Sequence, residues 1–418
     1  MREDWVEVQY QETVFKIPTS KQKLKQKEYS QSGEFPVVDQ GQELVGGYSD
    51  DAGRLLVCKL PVIVFGDHTK CVKLINFKFV PGADGTKVLQ PKLNIEPKYL
   101  SYLTHVLVHK IKDKGYARHY QHLEKENFPL APLVEQRVIV AKIETLFSDL
   151  DKGIADLKTA QAQLKIYRQA VLKKAFEGEL TKQWRDTNKI IYGWTNVNLS
   201  DISDSCLGKM LDKAKNKGLL KPYLGNINVR WGKFNTDSLK TMRIEDSEHV
   251  RFQLIKGDLV ICEGGEPGRC AVWQSDESIF IQKALHRVRF KANCNSYYFY
   301  YYFFYQAKIG GLNAYFTGTT IKHLTGRKLK EFKVPFCSIK EQNQIVREIE
   351  SRLSVCDKVE QTITESLEKA KALRQSILKK AFEGSLLSAA EIEQCKQDPD
   401  YEPAAALLAK IKAEKSKK

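Results

Sequence analysis

The chain has no CxxC pair and no His/Cys pattern suited to zinc. Its nine cysteines are scattered through 418 residues. Cys262 and Cys270 stand closest, with no histidine pattern beside them, so buried free thiols are expected rather than disulfides or a metal site. No stretch approaches 18 consecutive apolar residues, so no membrane span is expected. The opening MREDWVEVQYQ carries no apolar run of the signal-peptide kind, and a cytoplasmic protein is expected. Catalytic signatures are also missing. There is no HExxH, no GxSxG, no glycine-rich cofactor loop and no Asn/Asp-Pro-Pro-aromatic tetrapeptide. The nearest string to the last, Asp398-Pro399-Asp400-Tyr401, lies in a charged tail. Carboxylates are plentiful, but none cluster with a lysine outside the helical stretches in the way a metal-dependent nuclease site needs. The glycines of EGGEPGR fit neither GxGxxG nor GxxxxGKS. These absences argue against a catalytic, cofactor or metal site in this chain.

What is present is a long repeat. Residues 135–180, EQRVIVAKIETLFSDLDKGIADLKTAQAQLKIYRQAVLKKAFEGEL, return as residues 341–386, EQNQIVREIESRLSVCDKVEQTITESLEKAKALRQSILKKAFEGSL. The copies match at 20 of 46 positions at a constant offset of 341 − 135 = 206, and LKKAFEG recurs intact. Ile143, Leu150, Leu157, Leu164 and Val171 stand seven apart. So do Ile349, Cys356, Ile363, Ala370 and Ile377. A second, offset seam is expected at Leu146, Gly153, Ala160 and Tyr167, and at Val359 and Leu373. Pro132 and Pro335 precede the helices, with Ser338 standing where the first copy has Pro132. Gly178 and Gly384 follow their last turns. Two helices of about 45 residues, on the order of 65 Å each, are expected to pair.

The segments around the first helix echo each other. Pro61–Cys71 and Asp258–Cys270 both read as a strand, a tight polar turn and a second strand. Each is followed by a stretch of helical length, Tyr99 to Ile111 and Tyr297 to Gln306, and then by a basic pair, Arg118-His119 or Lys322-His323. The run SYYFYYYFFYQ could stack on bases. However, nine aromatics in so short a run cannot all face a ligand, and a buried helix is the better reading. Lys and Arg total 67 against 51 acidic residues, a net +16, which favours a polyanionic partner. The expected fold class is α+β: two mixed globules alternating with two long helices that pair with each other as a coiled coil. The expected segments are 1–128, 129–186, 187–333, 334–387 and a charged tail at 388–418.

Several stretches together carry a family resemblance: PLAPLVEQRVIVAKIETLFSDLD, LKKAFEGELTKQWR, PVIVFGDHTKCVKL, GADGTKVL, EGGEPGRCAVW, GTTIKHL and the terminal DPDYEPAAALLAKIKAEK. In these residues and in their order, the chain resembles the specificity subunit of type I DNA restriction–modification enzymes. The resemblance implies two target-recognition domains that each read half of a split DNA site, held apart by antiparallel helices. It implies no active site or cofactor in this chain. Its partners would be double-stranded DNA, two modification subunits that methylate adenine with S-adenosylmethionine, and two restriction subunits that use ATP and Mg.

DNA contact is expected from His68, Thr69 and Lys70 in the first hairpin and from Arg269 in the second. It is also expected from Arg118, His119, Thr319, Thr320, Lys322 and His323 ahead of the long helices. Each of these could instead be a solvated residue or a turn stabiliser. Partner docking is assigned to exposed helix faces bearing Glu135, Gln136, Arg168 and Gln169 and their copies Glu341, Gln342, Arg374 and Gln375; ordinary capping and i,i+4 pairing would use the same residues. The competing class is a coiled-coil scaffold without sequence-specific DNA binding.

Overall fold

The computed structural model describes residues 2–112, 118–212 and 214–414. It divides into two compact units. One takes residues 1–157 and 365–418, from both ends of the chain; the other takes residues 158–364. Each unit receives part of both long helices, Leu133–Phe176 and Ile339–Phe382.

Among the described residues the first unit contains nine strands: β1 (Val6–Gln9), β2 (Val14–Ile17), β3 (Phe35–Val38), β4 (Gly47–Ser49), β5 (Val62–Gly66), β6 (Val72–Ile75), β7 (Val80–Pro81), β8 (Thr86–Pro91) and β9 (Asn127–Leu130). They form a four-stranded sheet in the order β2-β8-β5-β6, a three-stranded sheet β4-β3-β7 and the ladder β1-β9. The second unit contains β10 (Thr195–Asn198), β11 (Ser203–Leu207), β12 (Leu219–Leu224), β13 (Val229–Arg230), β14 (Lys233–Phe234), β15 (Lys240–Ile244), β16 (Leu259–Cys262), β17 (Cys270–Val272), β18 (Phe280–Ile281), β19 (Leu285–Phe290) and β20 (Lys333–Phe336). Its sheets repeat the plan as β11-β19-β16-β17, β15-β12-β18 and β10-β20, with β13-β14 added. Both expected hairpins form, with Val62 opposite Ile75 and Leu259 opposite Val272. β5 and β16 are buried along their whole length, as expected of Val/Ile-rich strands covered on both faces.

The helical stretches appear as Pro97–Lys110 and Ser296–Ile309. In the aromatic helix Tyr298, Phe299 and Phe303 are fully buried, so it serves as core. Each long helix runs 44 residues. Gly178 and Gly384 follow them at φ +77° and +78°, the left-handed conformation that ends a helix. Ser338 substitutes for Pro132 as a true cap: its Oγ accepts the Glu341 N–H at 3.3 Å. The repeated LKKAFEG block explains its own recurrence. Phe382 packs edge-on against the buried ring of Tyr99, with centroids 5.1 Å apart, in the first unit. Phe176 meets Tyr298 in the same way at 5.4 Å in the second.

The helices run antiparallel in each unit. In the first, Arg374 pairs with Asp151; in the second, Arg168 pairs with Asp357 at 2.7 Å. Asp357 is the copy of Asp151 (151 + 206), so the two bridges are one contact written twice. All five residues of the seam Ile349, Cys356, Ile363, Ala370 and Ile377 are buried. The offset seam is corrected: Tyr167, Val359 and Leu373 are 47%, 41% and 51% exposed. The second row falls one residue later, at Ile154, Gln161 and Arg168 and at Glu360, Leu367 and Arg374, all partly buried. Heptad spacing alternates steps of three and four, and from the first seam the step here is four.

The charged tail is not a solvated appendage. Helix Ala404–Ala413 buries Ala404, Leu407, Leu408 and Ile411, and the last three join the first unit's core. Their i, i+3, i+4, i+7 spacing makes one apolar stripe. All nine cysteines are free. No described helix is long and apolar enough to cross a membrane.

Candidate DNA interface

In the first unit, residues 67–70 turn the chain between β5 and β6. Lys70 takes φ 59°, and its N–H donates to the Gly66 carbonyl at 2.9 Å. Thr69 is exposed, while His68 and Lys70 are half-buried. Each is anchored. Thr69 Oγ1 donates to the Gln40 carbonyl at 2.6 Å, the His68 N–H donates to Gln40 Oε1 at 3.3 Å, and Lys70 Nζ donates to the Ile111 carbonyl at 3.1 Å. The strap at residues 118–120 closes over this turn. His119 donates its N–H to the Asp67 carbonyl at 2.9 Å, and its ring Nδ1 lies 2.9 Å from the same oxygen, so that nitrogen must carry the proton. The Tyr120 N–H donates to Asp67 Oδ1 at 2.8 Å.

His119 is therefore corrected as a DNA contact. It is 1% exposed and clamps strap to turn. Arg118 beside it is exposed.

In the second unit the turn spans residues 263–269. Arg269 does not project from it. One Nη donates to Glu266 at 2.9 Å and the other to the Asn226 carbonyl and Oδ1 at 3.0 and 3.1 Å. Its side chain is 16% exposed, so Arg269 braces the turn rather than presenting a free cation. The matching strap is a small hairpin: Thr317 and His323 exchange main-chain bonds of 2.8 and 2.9 Å. Gly318 opens its tip at φ +90°, where an added Cβ would stand 2.3 Å from the Ile321 carbonyl oxygen, so only glycine fits. Thr319, Thr320, Lys322 and His323 are all exposed there. The Leu324 N–H donates to the Glu263 carbonyl at 2.7 Å, the counterpart of the His119 bond to Asp67. Arg118 thus matches His323, one residue away from the pairing expected from the two basic pairs.

Gln40 and Asn226 were not singled out by sequence. Both follow the strand that runs parallel to a short partner, β3 beside β7 and β12 beside β18, and both prop a turn. That parallel pairing joins distant segments, and no local pattern announces it.

The residues assigned to docking separate into two groups. Glu135, Gln136, Glu341 and Gln342 are at most 2% exposed, which corrects their placement on an exposed face. Glu135 accepts from Arg2, at 2.8 and 3.0 Å, and from Trp5 Nε1 at 3.0 Å. Burial pushes its carboxyl pKa up despite these donors. Glu341 receives Arg185 and Thr181 in the same way. Gln136 accepts the Glu96 N–H and donates to the Ala131 carbonyl. Gln342 accepts the Asn295 N–H and donates to the Cys337 carbonyl. These groups satisfy helix starts. Arg168 and Arg374 are half-buried in the cross-helix bridges, while Gln169 and Gln375 are exposed. No group of three or more His, Cys, Asp or Glu suited to a metal occurs among the described residues.

Comparison with known proteins bears on both halves. The family model described as the type I restriction modification DNA specificity domain matches residues 2–158 and 192–369. The chain is 29% identical over 297 residues to the EcoKI specificity subunit of Escherichia coli (strain K12), covering 69% of this chain. It is 29% identical over 352 residues to the StySPI specificity subunit of Salmonella potsdam, covering 78% of this chain and 74% of that protein. It spans 64% of the EcoKI subunit and 65% of the EcoBI subunit, just under two thirds of each. Among solved structures, the HsdS subunit from Thermoanaerobacter tengcongensis superposes with TM-score 0.63 at 20% identity, over 92% of this chain and 98% of that one. A chain from a structure of type I R-M complex assembly and conformational transition gives 0.66 at 17%, over 92% and 99%. At those identities the two structures establish the shared fold. With the family model covering most of both units, the chain belongs to the type I restriction–modification specificity-subunit family.

Proposed function

We propose that this chain reads a bipartite, asymmetric DNA sequence for a type I restriction–modification complex and performs no catalytic step itself. The observation that carries the reading is the duplication with divergence. Two units share one strand plan and one turn-and-strap edge, yet present different side chains there: Thr69 and Arg118 in one, and Thr319, Thr320, Lys322 and His323 in the other. One scaffold with two lettered edges suits two unlike half-sites, because base edges are read by side-chain chemistry while the main chain only positions it. In this reading methyl transfer from S-adenosylmethionine and ATP- and Mg-dependent cleavage belong to the modification and restriction subunits. The exposed Gln169 and Gln375 are the remaining docking candidates on the long helices. The test is to map methylated adenines in the genome with and without this gene. One two-part motif should vanish on deletion, and a chimera exchanging residues 187–333 should change one half of it. Persistence of every motif in the deletion strain would end the reading.

A further inference from the structure

Each unit contains a cleft of about 570 Å³. Both lie against the same pair of strands, the edge strand of the four-stranded sheet and its neighbour. β2 pairs with β8 from Val14 opposite Pro91, and β11 pairs with β19 from Ser203 opposite Phe290. Four residues before Pro91 stands Lys87, and four before Phe290 stands His286. Each lines its own cleft. In the first unit the cleft also gathers Lys16, Lys23 and Lys25, with Asp84 as its carboxylate. In the second it gathers Arg251, Arg327 and Lys330, with Glu331.

The side chains differ, yet the charge is positive in both. Lys16 and Lys25 are exposed, Lys23 is half-buried, and none of the three has an ion-pair partner among the described residues. Lys87 is drawn off by Asp67 at 3.2 Å. Burial, and after it the neighbouring Lys87, holds the Lys23 ammonium pKa below its usual value. Arg251 and Lys330 are likewise exposed without an ion pair among the described residues, while Arg327 is 3.1 Å from Glu331. Like charges gathered this closely, with fewer carboxylates than cations, leave room for an added anion.

Each cleft adjoins the edge described above. Gly85, between the lining residues Asp84 and Thr86, accepts the Asp67 N–H of the first turn at 2.8 Å. The His286 ring Nε2 lies 2.9 Å from the Leu324 carbonyl oxygen of the second strap. A sequence-reading edge flanked by unneutralised cations fits a duplex, whose phosphates run beside the bases being read.

We propose that the two clefts are backbone-phosphate sites through which each unit grips duplex DNA. This inference rests on the DNA-reading function proposed above.

The test uses the full chain assembled with its modification subunit and a duplex carrying the methylation-mapped motif, with affinity measured across a salt series. K16A/K23A/K25A and R251A/R327A/K330A should each weaken binding by about tenfold or more. Each should flatten the plot of log affinity against log salt by about 2 to 3, since one phosphate contact contributes about 0.9. The methylated motif should keep its letters. The single variants Lys25→Ala and Lys330→Ala, both at exposed positions, should each lower the slope by about 1 with an unchanged melting temperature. Wild-type slope and affinity in the triple variants, beside a wild-type complex that still selects its motif, would overturn the inference. So would a change of letters in one half of the motif, which would make that cleft a base reader. A wild-type complex without sequence preference would instead sink the underlying function, and this inference with it.

Discussion

At the residue scale the sharpest assignments concern buried charge. Arg185 and Glu341 are almost fully enclosed, with side chains 8% and 2% exposed. Removing the cation leaves a buried carboxylate uncompensated, with only the neutral Thr181 hydroxyl still donating to it, so Arg185→Ala should destabilise the second unit by about 3 to 5 kcal/mol in a urea titration. Arg2→Ala should cost less, because Arg2 is 18% exposed and Trp5 Nε1 remains on Glu135. A surface role in docking would leave both denaturation curves unmoved. Glu391 supplies a pH-dependent term. Lys142, and after it Ser388, pull its carboxyl down to about 2 from an ordinary 4.5. The folded-state value is the depressed one, so the stabilisation is complete above about 4.5 and disappears as pH falls toward about 2. The melting-temperature gap between wild type and Glu391→Gln should therefore narrow across that acid window. It should also be small, since the Glu391 side chain is 34% exposed and the pair is screened by solvent.

At the element scale, each long helix ends on the same aromatic anchor. Phe382 against Tyr99 and Phe176 against Tyr298 are equivalent contacts in their own units. Phe382→Ala and Phe176→Ala should each cost about 3 to 5 kcal/mol, from lost apolar transfer plus the cavity left behind, read by chemical denaturation. The long helices were legible because heptad spacing, terminal glycines and an ungapped repeat all agree. The second row of the seam was not, because Leu146 and Phe147 are both apolar and only packing decides whether three or four residues separate the rows. The same limit applies to Glu135, Gln136, Glu341 and Gln342. Sequence marks a polar pair at a helix start but does not say which way it points. The Trp5, Arg2 and Arg185 partners that bury the glutamates lie 130, 133 and 156 positions away.

At the scale of the whole molecule, the proposed function makes helix length a measure of DNA spacing. Seven residues of helix are about 10.5 Å, and a base-pair step is about 3.4 Å. Deleting residues 154–160 together with 365–371 removes one heptad from each helix and keeps the sum of the bridged positions matched. The unread gap in the methylated motif should then shorten by about 3 base pairs, with both half-sites keeping their letters. An unchanged gap would disconnect the helices from spacing.

The sequence by itself determined the duplication, the two long helices, the two hairpins and the basic balance, because periodicity, end signals and charge are local or additive properties of the chain. Only the tertiary structure decided that His119 and Arg269 are braces, that the tail closes the first unit's core, and that lysines from separate strands and loops share one cleft. Burial and charge neighbourhood are set by segments far apart along the chain, and no window of sequence holds both partners at once.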